Sequence, residues 1–331
     1  MKTVSILLLL FALCTLVSAE DAKPIPEGAA WELRVMGVME PGGMQKLISM
    51  SGKRRVRLGM VGTGGVSRKL LENYLSPDFT ITYKLAPYVA DPDPGYETHD
   101  TSQARVVFDL LEALKVPTDV TIYHAADIPK AWADAYARAG AECDIVVFYE
   151  SYWDDIQPTL DAMRKSRALF IGPYGEVGDR PTKNAVQGYS AKPWMKGTIR
   201  NLLTCAPLAK RGGRILTLLD RPGLDIAVIN IIAPSYYASG PGGTCPSAGV
   251  TAAVACYAFS ASRSRPDAGR LADRLRHLCI IDHKLLASIP EIGKKGASDL
   301  EVTIKSMTNP PKGKRRTLDA RGVLNISSLI R

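Results

Sequence analysis

The sequence predicts an α/β fold: a mostly parallel sheet with helices on both faces. Three observations predict it. From residue 56 to residue 232, short apolar runs of strand length alternate with segments of helical period. Residues 144–148 are so uniformly apolar after Asp144 that they suit a strand buried on both faces. The first strand ends on Gly62-Thr63-Gly64-Gly65, and a helical pattern follows, which is how a strand-to-helix crossover is punctuated. The composition agrees, with 46% hydrophobic and 23% charged residues in a chain of 331. That is ordinary for a globular protein and long enough for one large domain.

In chain order, residues 1–19 read as a cleavable signal peptide. Lys2 supplies the positive start, the chain is apolar from Ile6 to Val17 apart from Thr15, and Val17-Ser18-Ala19 has the small-x-small form that precedes cleavage. The apolar run falls short of the ~20 residues that a membrane span needs, and Leu13 before Cys14 is too bulky for a lipidation signal. The expectation is a secreted or periplasmic protein without a stable membrane anchor. Residues 20–52 are rich in Pro, Gly and Met, show no clear period, and read as an N-terminal extension. Residues 53–331 read as the domain. Strands are expected at 56–61, 120–123, 144–148, 168–171, 214–219 and 226–232. Helices are expected at 66–75, 105–114, 128–139 and 156–164. Residues 263–276 are charged and read as surface-lying.

The net charge is +9, with basic clusters at Lys53-Arg54-Arg55 and at 312–316. No aromatic residues are interleaved with them, as a single-strand nucleic-acid platform would require, so they read as solvated loops and no nucleic-acid partner is expected. Of six cysteines, Cys14 leaves with the signal. The remaining five (Cys143, Cys205, Cys245, Cys256 and Cys279) are an odd number, so at least one is unpaired within the chain. There is no C-x-x-C pair, the four histidines are scattered, and no acidic cluster stands out, so no metal site is expected.

The turn at Gly62 to Gly65 admits two readings. One is a dinucleotide-binding turn, in which glycine backbone approaches a pyrophosphate at a helix N-terminus. The stretch 57–67 resembles the opening of nicotinamide-dependent sugar oxidoreductases, which would imply an exported NAD(P)-dependent enzyme. Against it, Ser67 stands at the third glycine position, and Asp91 comes too late to hold a ribose. No cofactor is therefore expected.

The other reading uses more of the chain. The strand Val56-Arg57-Leu58-Gly59-Met60-Val61-Gly62-Thr63-Gly64 resembles the one that carries the catalytic aspartate of subtilisin-like serine proteases. His99-Asp100-Thr101-Ser102-Gln103-Ala104 is similar to that family's His-Gly-Thr-x-x-Ala helix start. Ile231-Ile232-Ala233-Pro234 resembles its Ala-Pro turn. Gly243-Thr244-Cys245-Pro246-Ser247-Ala248-Gly249 has the register of its nucleophile helix. Arg321-Gly322-Val323-Leu324-Asn325 echoes its last helix start. These pieces occur in the family's order, so the resemblance implies a subtilisin-like fold and peptide-directed chemistry.

Carried over residue by residue, the family's catalytic set is largely replaced. His99 stands at the base position. Gly62 replaces the orienting acid, whose loss costs orders of magnitude in turnover, and nothing in the sequence favours Asp91, Asp93 or Asp100 as a substitute. Pro173 stands at the oxyanion donor, where removing a donor costs about 3–4 kcal/mol of transition-state stabilisation; Tyr174 and Gly175 beside it are not amides. Cys245 stands at the nucleophile, Ser247 is out of register, and Gly249 occupies the place of a family proline. Cys245 also reads as a buried small residue or as half of a disulfide with Cys205 or Cys256. The expectation is a pseudoprotease that binds a peptide or protein partner. The alternative is a thiol- or serine-type peptide hydrolase using Cys245 and His99.

Overall fold

A parallel sheet must bury both faces, because its crossovers lay helices over each of them. The strands here are apolar on both sides, as that requires. The computed structural model describes residues 25–38, 41–52, 54–62, 64–67, 69, 79–85, 98–125, 129–149, 157–173, 199–211, 214–217, 231–236, 245–280, 282–308 and 322–329. The strands are β1 (Val56–Gly62), β2 (Phe79–Leu85), β3 (Thr118–His124), β4 (Ile145–Phe148), β5 (Leu169–Pro173), β6 (Leu202–Arg211), β7 (Arg214–Thr217), β8 (Ile231–Pro234), β9 (Cys279–Ile280) and β10 (Val323–Leu324). They form one sheet in the order β2-β3-β1-β4-β5-β6-β8-β10-β9, with β7 paired to β6. Every pairing is parallel except β6 with β7 and β10 with β9. The expected α/β class with a mostly parallel sheet is the class observed.

Alternate residues of the strands enter different cores. On one face Leu58, Met60, Ile145, Val147, Leu169, Ile171, Leu203 and Cys205 pack with helices α1 (Glu27–Val35), α2 (Pro41–Met50), α3 (His99–Ala113), α6 (Cys245–Ser260) and α7 (Ala268–His277). On the other face Val61, Val146, Phe148 and Phe170 pack with α4 (Pro129–Glu142) and α5 (Gln157–Lys165). Further along that face, Ala206, Leu208, Ile232 and Val323 pack with α8 (His283–Ala287) and α9 (Gly293–Thr308). Helices therefore cover both faces.

Helix α6 explains much of the arrangement. Every residue from Pro246 to Ser260 is buried, so the helix is apolar all round, as an internal helix must be. Its neighbour α3 comes close: a Cβ on Gly249 would stand 3.2 Å from Val107 Cγ2. The missing proline at 249 is thus a glycine that lets two helices approach. Residues 27–35 and 41–50, read from sequence as part of an extension without period, are helices, and Leu33 and Leu47 belong to the same core as the sheet. Residues 268–277, read as surface-lying, form a helix whose Leu271, Ala272 and Leu275 are buried under its charged face. Strands β2, β6 and β9 and helices α8 and α9 lie where no element was expected, and Val323-Leu324, read as part of a helix start, form strand β10. The helix expected at 66–75 falls almost wholly outside the described residues, as do residues 1–24, 226–230 and 312–316.

At the opposite end of the strands from the turn, Asp144 accepts from the Arg57 backbone N–H at 3.0 Å and from its guanidinium at 2.9 and 3.2 Å, and it also contacts Arg265. This ties the starts of β1 and β4 together.

The ends of β4 and β5 are equally tight. A Cβ added to Gly172 would fall 2.0 Å from Phe148 Cζ. The Phe148 ring is itself pinned edge-on by Tyr136, with centroids 5.3 Å apart. Gly172→Ala should therefore lower stability by about 1–3 kcal/mol, the usual cost of overpacking, read as a lower urea midpoint. Adding Phe148→Leu should return part of that loss. An unchanged midpoint in the single variant would show that the ring can yield.

Candidate functional site

In a parallel sheet the strand ends on one side converge, and ligands bind outside the carboxyl ends. Here β1 ends at Gly62, β4 runs into Tyr149, and β8 leads toward α6, so the site forms where those ends meet the N-termini of α3 and α6.

The start of α3 is held by its cap. Thr98 is the N-cap; its hydroxyl accepts the Thr101 N–H at 3.0 Å and donates to the Gly65 carbonyl at 2.6 Å. The Thr101 hydroxyl accepts the Ser67 N–H at 2.9 Å. A threonine cap is worth about 1 kcal/mol, and here it also fastens the turn after β1 to the helix that carries His99. Asp100 adds a third tie, accepting the Gly64 N–H at 2.9 Å. A turn amide that a pyrophosphate would need is therefore already bonded to a carboxylate, which tells against the dinucleotide reading.

His99 is the first residue of α3, and its side chain is 40% exposed. Its Nδ1 lies 3.3 Å from Asp100 Oδ1, and it also hydrogen-bonds the Cys245 side chain. Its ring stands edge-on to Tyr149, with centroids 6.3 Å apart and an angle of 83°. Hydrogen bonds to Asp100 and then to Cys245 raise its pKa from 6.5 to about 10, against a smaller opposing effect of burial. The imidazolium is thus the favoured form at neutral pH.

Cys245 is the first residue of α6, partly buried, and a free thiol. Its Sγ donates to the Tyr149 carbonyl at 3.2 Å. Of the two groups beside the sulfur, the Tyr149 carbonyl and the His99 ring, only the ring can take the proton, and in doing so it becomes the favoured imidazolium. The alternative reading of Cys245 as half of a disulfide with Cys205 or Cys256 is set aside: all five described cysteines are free, and Cys205 donates instead to Thr251. Desolvation pushes the buried Cys143 up to about 11 and Cys205 to about 12, and raises Cys256 as well. Those three are held as neutral thiols. Ser247 is fully buried within the first turn of α6.

The other family positions fare differently. Pro173 ends β5 opposite Cys205 of β6 and has no N–H to offer. Tyr174, Gly175, Asp91, Asp93 and Gly243-Thr244 lie outside the described residues. Gly62 has a neighbour that the sequence did not single out. A Cβ built on it would stand 2.0 Å from Asp100 Oδ2 and 2.6 Å from its Cγ. The Asp100 side chain, 4% exposed, thus lies in the space that a side chain on residue 62 would take.

Tyr149 was also missed. It is 3% exposed, supplies the carbonyl for Cys245, and its hydroxyl has no partner among the described residues. It lines, with Gly62, Gly65, Asp100 and His124, a small, partly open pocket with room for about one water molecule. Burial above all, then the charges on Asp100 and Cys245, raises the phenol well beyond its ordinary range, so it stays protonated. Among the described residues no group of three His, Cys, Asp or Glu is placed to hold a metal ion.

Among solved structures the chain is similar to a lanthipeptide protease, with a TM-score of 0.50 and 13% identity over 77% of this chain and 88% of that one. It is also similar to the serine protease MycP1, an essential component of the type VII (ESX-1) secretion system, with a TM-score of 0.48 and 12% identity over 90% and 88%. No protein-family model matches the sequence, and no curated protein matches it significantly. At such identity the first likeness is one of fold, and the fold is protease-like.

Proposed function

We propose that the chain is a thiol-dependent acyl hydrolase of the peptidase class, with Cys245 as nucleophile and His99 as base. The single observation that carries this reading is the contact between the two side chains, brought together from the first residues of two different helices. A nucleophile beside an imidazole, with a carboxylate also bonded to that imidazole, is the arrangement nucleophilic catalysis needs.

The chemistry runs in two halves. The Cys245 proton first passes to His99, forming the thiolate beside the imidazolium that the raised pKa favours, and Sγ then attacks the carbonyl carbon of the substrate. The carbon–nitrogen or carbon–oxygen bond then breaks, and the leaving group takes that proton from the imidazolium, leaving a thioester on Cys245. In the second half His99 accepts a proton from water, the hydroxide displaces sulfur, and the proton returns to the thiol. The oxyanion can be met by the Cys245 N–H at the positive end of α6. Pro173 contributes no donor, and this favours a slow enzyme or, in the second reading, an inactive one that binds a peptide or protein partner.

Residues 1–19 support export of the protein with cleavage after Ala19. No helix among the described residues is long and apolar enough to cross a membrane.

Treating the purified protein with p-nitrophenyl acetate, and separately with iodoacetamide, tests the reading. Peptide mapping should place the acetyl and carbamidomethyl groups on Cys245 first, with Cys143, Cys205 and Cys256 protected. An acetyl group that never forms on Cys245 leaves the binding role as the better account.

A further inference from the structure

We infer that Asp100 is the positioning acid of this site, entering from the start of α3 the space that Gly62 leaves open at the end of β1. The inference rests on the reading of Cys245 and His99 above and supplies the member of the set that the sequence lacks. Three observations carry it. A Cβ on Gly62 would overlap the Asp100 carboxylate, at 2.0 Å from Oδ2 and 2.9 Å from Oδ1. The same carboxylate is anchored by the Gly64 N–H at 2.9 Å, through Oδ2. Its other oxygen, Oδ1, faces His99 Nδ1 at 3.3 Å.

These contacts divide the carboxylate between two tasks. Oδ2 fixes its place against the turn, and Oδ1 is left to orient the imidazole. Neighbours one apart on a helix do not ordinarily face each other, so this contact is not a default of the sequence. It exists because the space beside Gly62 draws the Asp100 side chain inward, where it is 4% exposed. With Nδ1 held by the acid, Nε2 is the nitrogen that remains for the sulfur proton. An acid in this position also stabilises the imidazolium that forms when the thiol ionises.

Gly62 and Asp100 are therefore a complementary pair: either position can hold the acid, but both cannot hold side chains at once. The pair is tested by moving the carboxylate back. Four forms are compared: wild type, Asp100→Asn, Gly62→Asp, and Gly62→Asp combined with Asp100→Gly. One readout is the midpoint of the His99 imidazole titration, followed by NMR with labelled histidine. The other is the rate of Cys245 acetylation by p-nitrophenyl acetate.

Asp100→Asn should bring the His99 midpoint down toward its ordinary value. It should slow acetylation by up to about 10²–10⁴-fold, the span of general acid–base catalysis. Gly62→Asp alone should be overcrowded and no better than wild type in either readout. The double variant should recover both the raised midpoint and much of the rate. An unmoved midpoint in Asp100→Asn overturns the inference, and so does a folded double variant that recovers neither quantity. Should the double variant fail to fold, the Asp100→Asn titration decides. A wild type that never acetylates Cys245 but whose His99 midpoint drops in Asp100→Asn counts against the hydrolase reading and in favour of the acid.

Discussion

His99→Ala should slow acetylation of Cys245 by about 10²–10⁴-fold, because the thiol then loses the neighbour, among the described residues, that takes up its proton. The Tyr149 carbonyl would remain as its acceptor at 3.2 Å, and a carbonyl can hold the proton but not take it. The variant should still fold, since the ring is 40% exposed at a helix start. Adding free imidazole to the variant should restore part of the rate, which a purely structural loss would not allow. Equal acetylation rates in wild type and variant would remove His99 from the chemistry. The pH dependence has a definite sign. The His99 pKa is raised from 6.5 to about 10, by Asp100 first and Cys245 second. The stabilisation that its charged form lends to the fold is therefore complete below about 6.5 and is lost as pH climbs through about 10. His99→Ala should flatten that alkaline loss, measured as urea midpoints across the range.

Asp144→Ala should have the largest effect on stability, about 3 kcal/mol, at the low end for breaking a buried ion pair. The carboxylate is 4% exposed, whereas the guanidiniums of Arg57 and Arg265 are 45% and 62% exposed. Its removal thus leaves no deeply buried unpaired charge, which sets the low end. It does orphan the Arg57 backbone N–H at the start of β1. Asp144→Asn keeps an acceptor there and should lose less. Burial opposes the charge on Asp144, but the side-chain and backbone hydrogen bonds of Arg57 outweigh it, and the pKa falls below 3.8. The contribution is thus present above about 3.8 and lost as pH drops through the lower folded value. Acid titration of the urea midpoint should be shallower in Asp144→Asn than in wild type; parallel curves would contradict the assignment.

The strands of the sheet differed in how readable they were. The strand at β4 was legible because Ile145, Val146, Val147 and Phe148 are all apolar, a pattern that surface positions do not keep. Strand β6 was not, because Thr204, Pro207 and Lys210 interrupt any alternation, and it is only its place between β5 and β8 that buries it. Residues 79–85 did carry an alternation of Phe79, Ile81, Tyr83 and Leu85 with Thr80, Thr82 and Lys84, a signal sufficient for β2. In α7 the many arginines hid four buried residues, since charged side chains on one face say nothing about the other. For the site, His99 and Cys245 were readable as residue types in a familiar order. The disulfide that stood as one reading of Cys245 does not form, because cysteine spacing does not reveal which thiols face each other.

The sequence by itself determined the α/β class, through apolar runs long enough to be strands and helices of matching length. It also determined that an imidazole and a thiol would be available near strand ends. Only the tertiary structure decided that these two meet, and that Asp100 and Gly62 belong together. Read along the chain, a glycine where an acid is expected and an aspartate where a glycine is expected are two separate losses. Packing makes them one exchange, because the space that the first residue gives up lies beside the second only after β1 and α3 are laid side by side. Local pattern specifies which faces are apolar, whereas complementarity between a side chain and a void arises only when distant elements come into contact.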